Sequence, residues 1–349
     1  MKKEFFMRRL IALLTAGFLM ITLAGCQKKE AAAQIFAMDT VMNMAAYGGS
    51  AEKALAETEA EILRLEQLLS RTDADSEVSR LNTAGGASVD IHADVETLIR
   101  SAGEFSAATD GAFDITIAPV VSAWGFTEDA YRVPEQAELE TLLETVGMEH
   151  VTLADGQAAL EGGTRIDLGG IAKGYASDRA AEIFDAHKVE HGQAALGGNI
   201  LLVGPKPDGT AWRVGVQDPA RPNEDAYAAI VALEDAFAVT SGSYQRYFEQ
   251  DGAIYHHIID PANGYPADSG LTSVTVVTDR RSGSGTMCDA LSTALFVMGE
   301  ERALEFWRSG VYDFELILVT EDGRVVVTAG LETALTEIEE SGYTYEIVS

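Results

Sequence analysis

The chain has 349 residues and a formal net charge of −30 at neutral pH, with 25 basic residues against 55 acidic ones. This balance argues against nucleic acid as a partner, because proteins that bind it present basic patches to the phosphates. It also repels anionic nucleotides at short range, so a nucleotide site would need a local device, such as a divalent cation and the free N–H groups of a helix start.

The first 25 residues are predicted to be a lipoprotein signal peptide. Basic residues precede an apolar run over residues 10–23, which is shorter than the roughly 20 residues of a membrane-spanning helix, and Leu-Ala-Gly leads into Cys26. Cys26 would become a lipidated N-terminus, followed by a short tether to residue 34. We expect the protein to be exported and lipid-anchored to the outer face of the cell membrane, and an uncleaved anchor is the alternative. Cys288 would then have no disulfide partner.

In the first half of the chain, helices are indicated by apolar residues spaced three and four apart and strands by alternation. A strand over 34–47 is followed by helices over 51–70, 94–109 and 137–146, strands over 150–153, 158–160 and 165–168, and a helix over 171–187.

In the second half, short strands are broken by glycine and proline turns. The predicted strands are 194–196, 200–203, 212–217, 228–233, 237–240, 255–259 and 271–278, followed by helices over 287–298 and 301–309 and strands over 314–319 and 325–328. Strands and helices do not alternate regularly here, which predicts an α+β fold with a mostly antiparallel sheet and packed helices. We expect residues 35–349 to form one unit.

The segment 256–299 carries the polar residues most able to do chemistry. Asp289, Ser292 and Thr293 open an apolar helical run, and their spacing puts their oxygens on one helix face. A carboxylate and hydroxyls with room for water or phosphate oxygens suit Mg²⁺. The alternative is that Asp289 caps a helix and the two hydroxyl residues lie at a packed interface.

Two further segments have structural alternatives. HHIIDPANGYP from His256 could be a strand end in which one histidine is a satisfied core residue and Asp260 begins a turn. The segment DLGGIAKGYA from Asp167 runs through a glycine turn into a helix start, where free N–H groups attract phosphate. It fits neither a Walker A loop nor GxGxxG, and a tight structural turn is its alternative.

Several ordered segments together resemble the ApbE family of Mg-dependent FAD:protein FMN transferases, and the resemblance covers nearly everything after residue 34. The segments are FAMDT from Phe36, SRTDADSEVSRLN from Ser70, TDGAFDITIAPVVSAWGF from Thr109, RIDLGGIAKGYASDRA from Arg165, ALGGNILLVG from Ala195, TSGSYQRYF from Thr240, HHIIDPANGYP, SVTVV and CDALSTALFVMG. The resemblance implies a T-fold-related architecture.

The resemblance also implies a set of site residues. FAD would be contacted by Met38, Thr72, Ala112, Phe113, Asp114, Asp167, Lys173 and the backbone of Ile259. Mg²⁺ would be bound by the carbonyl of Gly170 with Asp289, Ser292 and Thr293, where Ser292 stands at a position that is acidic in some relatives. Plain core packing is the alternative for Met38 and Phe113.

Two residues depart from the family pattern near the flavin. Asp39 replaces a glycine, and Thr72 stands where an aromatic side chain commonly stacks on the cofactor. Binding there is expected to be weaker or differently arranged.

The implied reaction transfers FMN from FAD to a threonine or serine hydroxyl of an exported acceptor protein, with release of AMP. The acceptor motif of the family resembles D-x-x-[ST]-G-A-T. Catalytic roles fall to Asp289 and to His257, whose unperturbed pKa suits a general base; a purely structural hydrogen bond is the alternative for His257. Mg-dependent FAD hydrolysis and non-catalytic FAD binding by a lipoprotein are the competing functions.

Overall fold

The computed structural model describes residues 29–127, 130–222 and 224–349. The predicted signal peptide and Cys26 therefore lie outside the described residues. Within them, no helix combines the length and apolarity needed to cross a bilayer.

A nine-stranded sheet forms the centre of the fold, in the order β1-β2-β6-β7-β10-β13-β14-β15-β17. Its strands are β1 (Glu30–Ala37), β2 (Thr40–Tyr47), β6 (His191–Leu196), β7 (Asn199–Val203), β10 (Ala236–Gly242), β13 (Leu271–Asp279), β14 (Glu315–Thr320), β15 (Arg324–Thr328) and β17 (Thr344–Val348). Neighbouring strands pair antiparallel except β15 with β17. This confirms the predicted α+β class with a mostly antiparallel sheet.

The remaining strands of the described residues form three smaller sheets. They comprise β3 (Val89–Asp90), β4 (Val151–Ala154) and β5 (Gln157–Leu160); β8 (Trp212–Gln217), β9 (Tyr227–Leu233) and β16 (Leu335–Glu337); and the hairpin of β11 (Tyr247–Gln250) with β12 (Ala253–His256). The α-helices are α1 (Ala51–Leu69), α2 (Glu77–Thr83), α3 (Ala93–Ala108), α4 (Ala118–Ala123), α5 (Gln136–Leu143), α6 (Ala172–Ala186) and α7 (Gly285–Ser309).

The central sheet is covered on both faces, which is why its inner strands read as nearly continuous apolar runs. On one face α1, α6 and α7 pack against the sheet, with α6 in contact with both α1 and α7, and they enclose the largest cluster of buried side chains. On the other face Val214 and Val231 of the β8–β9 sheet pack with Leu202, Val277 and Ile317 of the central sheet. The arrangement has three layers.

Helix α7 shows how local sequence fixes the ends of an element. Ser284 caps its start by accepting a hydrogen bond from the N–H of Met287 at 3.1 Å. Gly299 interrupts the helix with φ 77°, and Gly310 ends it in the left-handed conformation at φ 66°. Gly299 therefore separates the two predicted helices, 287–298 and 301–309, by a kink within α7.

Three predictions need correction. The single strand over 34–47 is wrong, because Met38 and Asp39 both have positive φ and reverse the chain between β1 and β2. The strand over 165–168 reduces to one isolated bridge between Arg165 and Ile117. The strand over 255–259 ends at His256, because the chain enters the turn that begins at Asp260.

Candidate active site

A cleft of about 920 Å³ opens where β7 begins and β10 ends in the central sheet, beside the first turns of α6 and α7. The predicted site residues that line it are Met38, Thr72, Ala112, Phe113, Asp114, Asp167, Gly170, Lys173, His257, Ile259, Asp289 and Thr293. Ser292 does not line the cleft, being fully buried one position before Thr293. Cys26 lies outside the described residues. The fold thus brings together segments that are far apart in sequence. The volume of the cleft lies near the upper end of the range for small-molecule sites.

The carboxylate of Asp289 is held between two elements. It is 4 % exposed, and its Oδ2 accepts a hydrogen bond from the N–H of Gly174 at 2.8 Å, in the first turn of α6. Its Oδ1 accepts one from Nδ2 of Asn199 at 3.2 Å. Asp289 therefore does not cap its own helix, since Ser284 does that. It lies where the positive end of the α6 dipole favours negative charge.

Close packing brings Asp289 to the start of α6. A Cβ on Gly174 would lie 2.3 Å from the carbonyl oxygen of Gly285 and 2.7 Å from Cβ of Asp289. Such distances are excluded for real atoms, so only glycine lets α6 and α7 approach this closely. Gly174 thereby sets the position of the carboxylate.

The hydroxyls beside Asp289 are also fixed from the sheet. Oγ of Ser241, on β10, lies 2.8 Å from Oγ of Ser292 and 3.3 Å from Oγ1 of Thr293. Ser292 also donates to the carbonyl oxygen of Asp289 at 2.9 Å. Ser292 is thus engaged inside the protein, while Thr293 faces the cleft.

The donor set at this corner fits a hard cation that keeps part of its water shell. A Cβ built on Gly170 would lie 3.8 Å from Oγ1 of Thr293, so the glycine turn and the hydroxyl are neighbours. Within the described residues, no three histidine, cysteine, aspartate or glutamate side chains cluster as a metal site. A cation here would have Asp289 as its carboxylate ligand and would draw its other oxygens from Thr293, backbone, water and substrate phosphate, as Mg²⁺ commonly does.

The cleft carries basic side chains despite the acidity of the chain. Arg71 makes an ion pair with Asp167 at 3.1 Å between Nη1 and Oδ2, and Nζ of Lys173 donates to the carbonyl oxygen of Gly169 at 3.1 Å. Arg246 also lines the cleft. These cations and the start of α6 supply the local positive potential that an anionic nucleotide needs.

Phe113 and Asp114, both predicted to contact FAD, line the cleft. Phe113 is 4 % exposed and packs against the glycine turn, since its Cε2 lies 3.2 Å from the Cβ position of Gly170. Oδ1 of Asp114 accepts from the N–H and hydroxyl of Thr116 at 2.8 and 2.6 Å. Burial raises the pKa of Asp114 despite these bonds.

Met38 lies at a strained hairpin tip. Its φ is 48°, and its N–H donates to Oε1 of Glu66 at 2.7 Å, which ties the tip to α1. Asp39 follows with φ 60°. A turn with two positive φ angles favours Asn-Gly, and Asp39 is the better tolerated of the two residues present.

The two adjacent histidines differ in role. Nε2 of His256 lies 3.1 Å from the carbonyl oxygen of Ala267, so His256 is the satisfied internal residue. His257 lines the cleft, and its Nδ1 lies 3.1 Å from the carbonyl oxygen of Arg246. Burial lowers the pKa of His257 to about 3, and the ring of Phe126 meets the imidazole edge-on with 6.4 Å between ring centroids. The imidazole is therefore neutral at pH 7.

The turn after His257 is built as its sequence predicts. The N–H of Ala262 donates to Oδ1 of Asp260 at 2.9 Å, and Gly264 has φ 77°. Nε1 of Trp124 donates to the carbonyl oxygen of Gly264 at 2.7 Å. Ile259, 6 % exposed, packs in the same cluster as Trp124 and lines the cleft.

Residue-level reasoning missed several residues of the cleft. They are Glu66, Arg71, Asn199, Ser241, Tyr244 and Arg246. All except Glu66 lie inside segments that already carried the family resemblance, so the segments themselves were the available signal. Pairings such as Asn199 with Asp289 join residues 90 apart and have no local signature.

Comparison with known proteins gives a consistent result. The ApbE family model matches residues 38–318. An FAD:protein FMN transferase of Haemophilus influenzae is 31 % identical over 96 % of this chain and all of that protein. The crystal structure of the ApbE protein from Thermotoga maritima aligns with a TM-score of 0.80 and 33 % identity, covering 89 % of this chain and all of that one. Apo flavinyl transferase ApbE from Pseudomonas stutzeri aligns at 0.78 and 29 % identity, covering 89 % and 98 %. The chain belongs to the ApbE family.

Proposed function

We propose that the protein is an Mg²⁺-dependent FAD:protein FMN transferase that uses FAD to modify a threonine or serine of an acceptor protein and releases AMP. One observation carries the proposal. In a chain of the ApbE family, one cleft is lined by a buried carboxylate, Asp289, by Thr293, by the glycine turn at Gly170 and by the cations Arg71 and Lys173.

Each group would have a defined part in binding FAD. Asp289, Thr293 and the carbonyl of Gly170 would hold the cation. Lys173 and Arg71 would offset the charge of the diphosphate, with the start of α6 adding the positive end of its dipole. When bound, Mg²⁺ neutralises charge on the diphosphate and makes its phosphorus more electrophilic. Phe113 and Met38 would pack against the ring systems, beside Thr72.

The transfer balances as a simple displacement. The acceptor hydroxyl oxygen forms a bond to the phosphorus of the FMN half, and the bond from that phosphorus to the bridging oxygen of AMP breaks. The hydroxyl proton leaves to a base, and AMP departs with the bridging oxygen. The product is an FMN phosphoester on the acceptor side chain.

His257 stays a candidate base, but its environment favours the structural role. A pKa of about 3 leaves the imidazole free to accept a proton at pH 7, yet makes it a weak base. The bond to the carbonyl oxygen of Arg246 instead holds the β12 end against the segment before β11. A pH–rate profile of the His257→Gln variant separates the two roles, since only a base role predicts that the variant loses the acid-side fall of the wild-type rate.

The direct test is incubation with FAD, Mg²⁺ and an acceptor peptide carrying D-x-x-S-G-A-T. Mass spectrometry should show one FMN added per peptide and an equal amount of AMP, and a peptide with alanine in place of the serine should stay unmodified. An unmodified serine peptide would contradict transfer. AMP formed at the same rate without peptide would indicate FAD hydrolysis, and tight FAD binding with no AMP would indicate a binding protein.

We also propose that the protein is exported and lipid-anchored through Cys26. Residues 35–349 would form one domain, joined to Cys26 by a short tether. The support is the basic, apolar and small-residue pattern that ends at Cys26. Expression of the full chain with a palmitate analogue should label the wild type and leave Cys26→Ala unlabelled. Equal labelling of both would contradict the anchor.

A further inference from the structure

Asn199 occupies a rigid position beside the proposed cation site. It begins β7 directly after the two-residue turn Gly197-Gly198, where Leu196 pairs with Asn199 across the hairpin. The turn presses on β10, because a Cβ on Gly198 would lie 2.6 Å from the carbonyl oxygen of Thr240. The N–H of Thr240 in turn donates to Gly198 at 2.9 Å. Asn199 is therefore fixed by backbone on both sides.

The orientation of the Asn199 amide follows from its partner. Nδ2 lies 3.2 Å from Oδ1 of Asp289. An ionised carboxylate only accepts hydrogen bonds, so the amide must turn its N–H₂ group toward Asp289. The second oxygen of Asp289 is held by the N–H of Gly174. Asn199 and Gly174 together fix the plane of the carboxylate.

This orientation leaves the other end of the amide without a donor. Asn199 is 1 % exposed and lines the cleft, and its Oδ1 is buried with no hydrogen-bond partner in the described part of the chain. A buried carbonyl oxygen without a donor is unfavourable, so such atoms in native proteins usually meet water, an ion or a ligand. The oxygen thus marks a place where a hydrogen-bond donor from outside the chain belongs.

We propose that Asn199 is a positioning residue of the cation site, where Nδ2 orients Asp289 and Oδ1 accepts a hydrogen bond from a water molecule bound to the ion. Mg²⁺ retains several waters, whose protons need acceptors. Groups that orient metal ligands in this way tune affinity although they do not touch the metal. The inference rests on the proposed Mg²⁺ site and assigns a further residue to it.

The test measures metal binding without FAD. Mn²⁺ replaces Mg²⁺, so that free and bound ion are distinguished by electron paramagnetic resonance. We expect Asn199→Ala to weaken Mn²⁺ binding by about 10- to 100-fold, the usual range for such outer partners. Thr328→Val is the control. Thr328 is fully buried, and its Oγ1 accepts a hydrogen bond from the N–H of Leu316 at 2.8 Å. It does not line the cleft. This variant should keep wild-type affinity.

The outcomes separate this inference from the proposed function. If wild type binds Mn²⁺ and folded Asn199→Ala binds it equally well, the role of Asn199 is wrong while the metal site stands. If Asn199→Ala loses only FAD affinity, the free oxygen serves the substrate and the inference is also wrong. If wild type binds no metal, both fail. Should Asn199→Ala not fold, Asn199→Ser, which keeps a small polar group but lacks the amide, should weaken Mn²⁺ binding by about tenfold.

Discussion

The removal of the Asp289 carboxylate has consequences for stability and activity that can be worked out separately. In Asp289→Ala, the N–H of Gly174 and Nδ2 of Asn199 lose their acceptor at 2.8 and 3.2 Å and stay buried. Hydrogen bonds to charged groups contribute about 1.5–3 kcal/mol each. The free energy of unfolding should therefore fall by about 3–6 kcal/mol, compared with a total of about 5–15 kcal/mol for a typical domain.

The rate of AMP release by Asp289→Ala should fall by more than the loss of stability alone would cause. Charge stabilisation by a bound metal supplies several kcal/mol to a phosphoryl transfer, and each 1.4 kcal/mol is tenfold in rate. AMP release by Asp289→Ala should thus drop by at least about a hundredfold at saturating Mg²⁺. Urea unfolding followed by fluorescence and a coupled AMP assay measure the two effects.

A matched carboxylate separates metal loss from loss of stability. Asp178 lies between the same two helices and accepts from the N–H groups of Gly285 and Thr286 at 2.6 and 3.0 Å, at the start of α7. Asp178→Ala should lose comparable stability but keep most of its Mg²⁺ affinity. If Asp289→Ala retains wild-type turnover, or if both variants lose metal affinity equally, the assignment of Asp289 as the metal ligand is refuted.

Three other changes give independent checks. Gly174→Ala would force a Cβ to 2.3 Å from the carbonyl oxygen of Gly285. We therefore expect the free energy of unfolding in urea to fall by about 1–3 kcal/mol, and Mn²⁺ binding to weaken. Wild-type values for both would contradict the close packing of α6 on α7. Burial raises the pKa of Asp178 to about 6, so folding favours the protonated carboxyl. The free energy of unfolding of wild type, relative to Asp178→Asn, should therefore be greatest below about pH 4 and decline up to about pH 6. A rise over that pH window would show that the pKa of Asp178 is lowered instead. Asp39→Gly places glycine at φ 60° and should raise stability by about 0.5–1 kcal/mol, whereas a decrease would mean that the Asp39 side chain itself stabilises the turn.

Most of the fold could be predicted from the pattern of apolar residues. Helices α1 and α3 and strand β8 follow the predicted ranges within about a residue, because their buried faces repeat regularly. The β1–β2 hairpin was not predictable, since Met38 and Asp39 are not residues that signal a turn with positive φ. The short helix α2 also escaped, because only Val78 and Leu81 of its seven residues are buried.

The candidate site also contains residues that the sequence predicts and contacts that it does not. Asp289 and Thr293 were found because their spacing on one helix is a local property. The contacts of Asp289 were not, since Gly174 and Asn199 reach it from 115 and 90 residues away through the packing of α6 and β7. His257 was predicted as a residue of ordinary pKa, and the surroundings that lower it exist only in the folded chain.

The most direct measurement is a crystal structure with FAD and Mn²⁺, recorded at the manganese absorption edge. We predict one anomalous peak bounded by the Asp289 carboxylate, the Thr293 hydroxyl and the Gly170 carbonyl, in contact with the diphosphate of FAD. A peak at another place, or a flavin bound outside the cleft, would contradict the account.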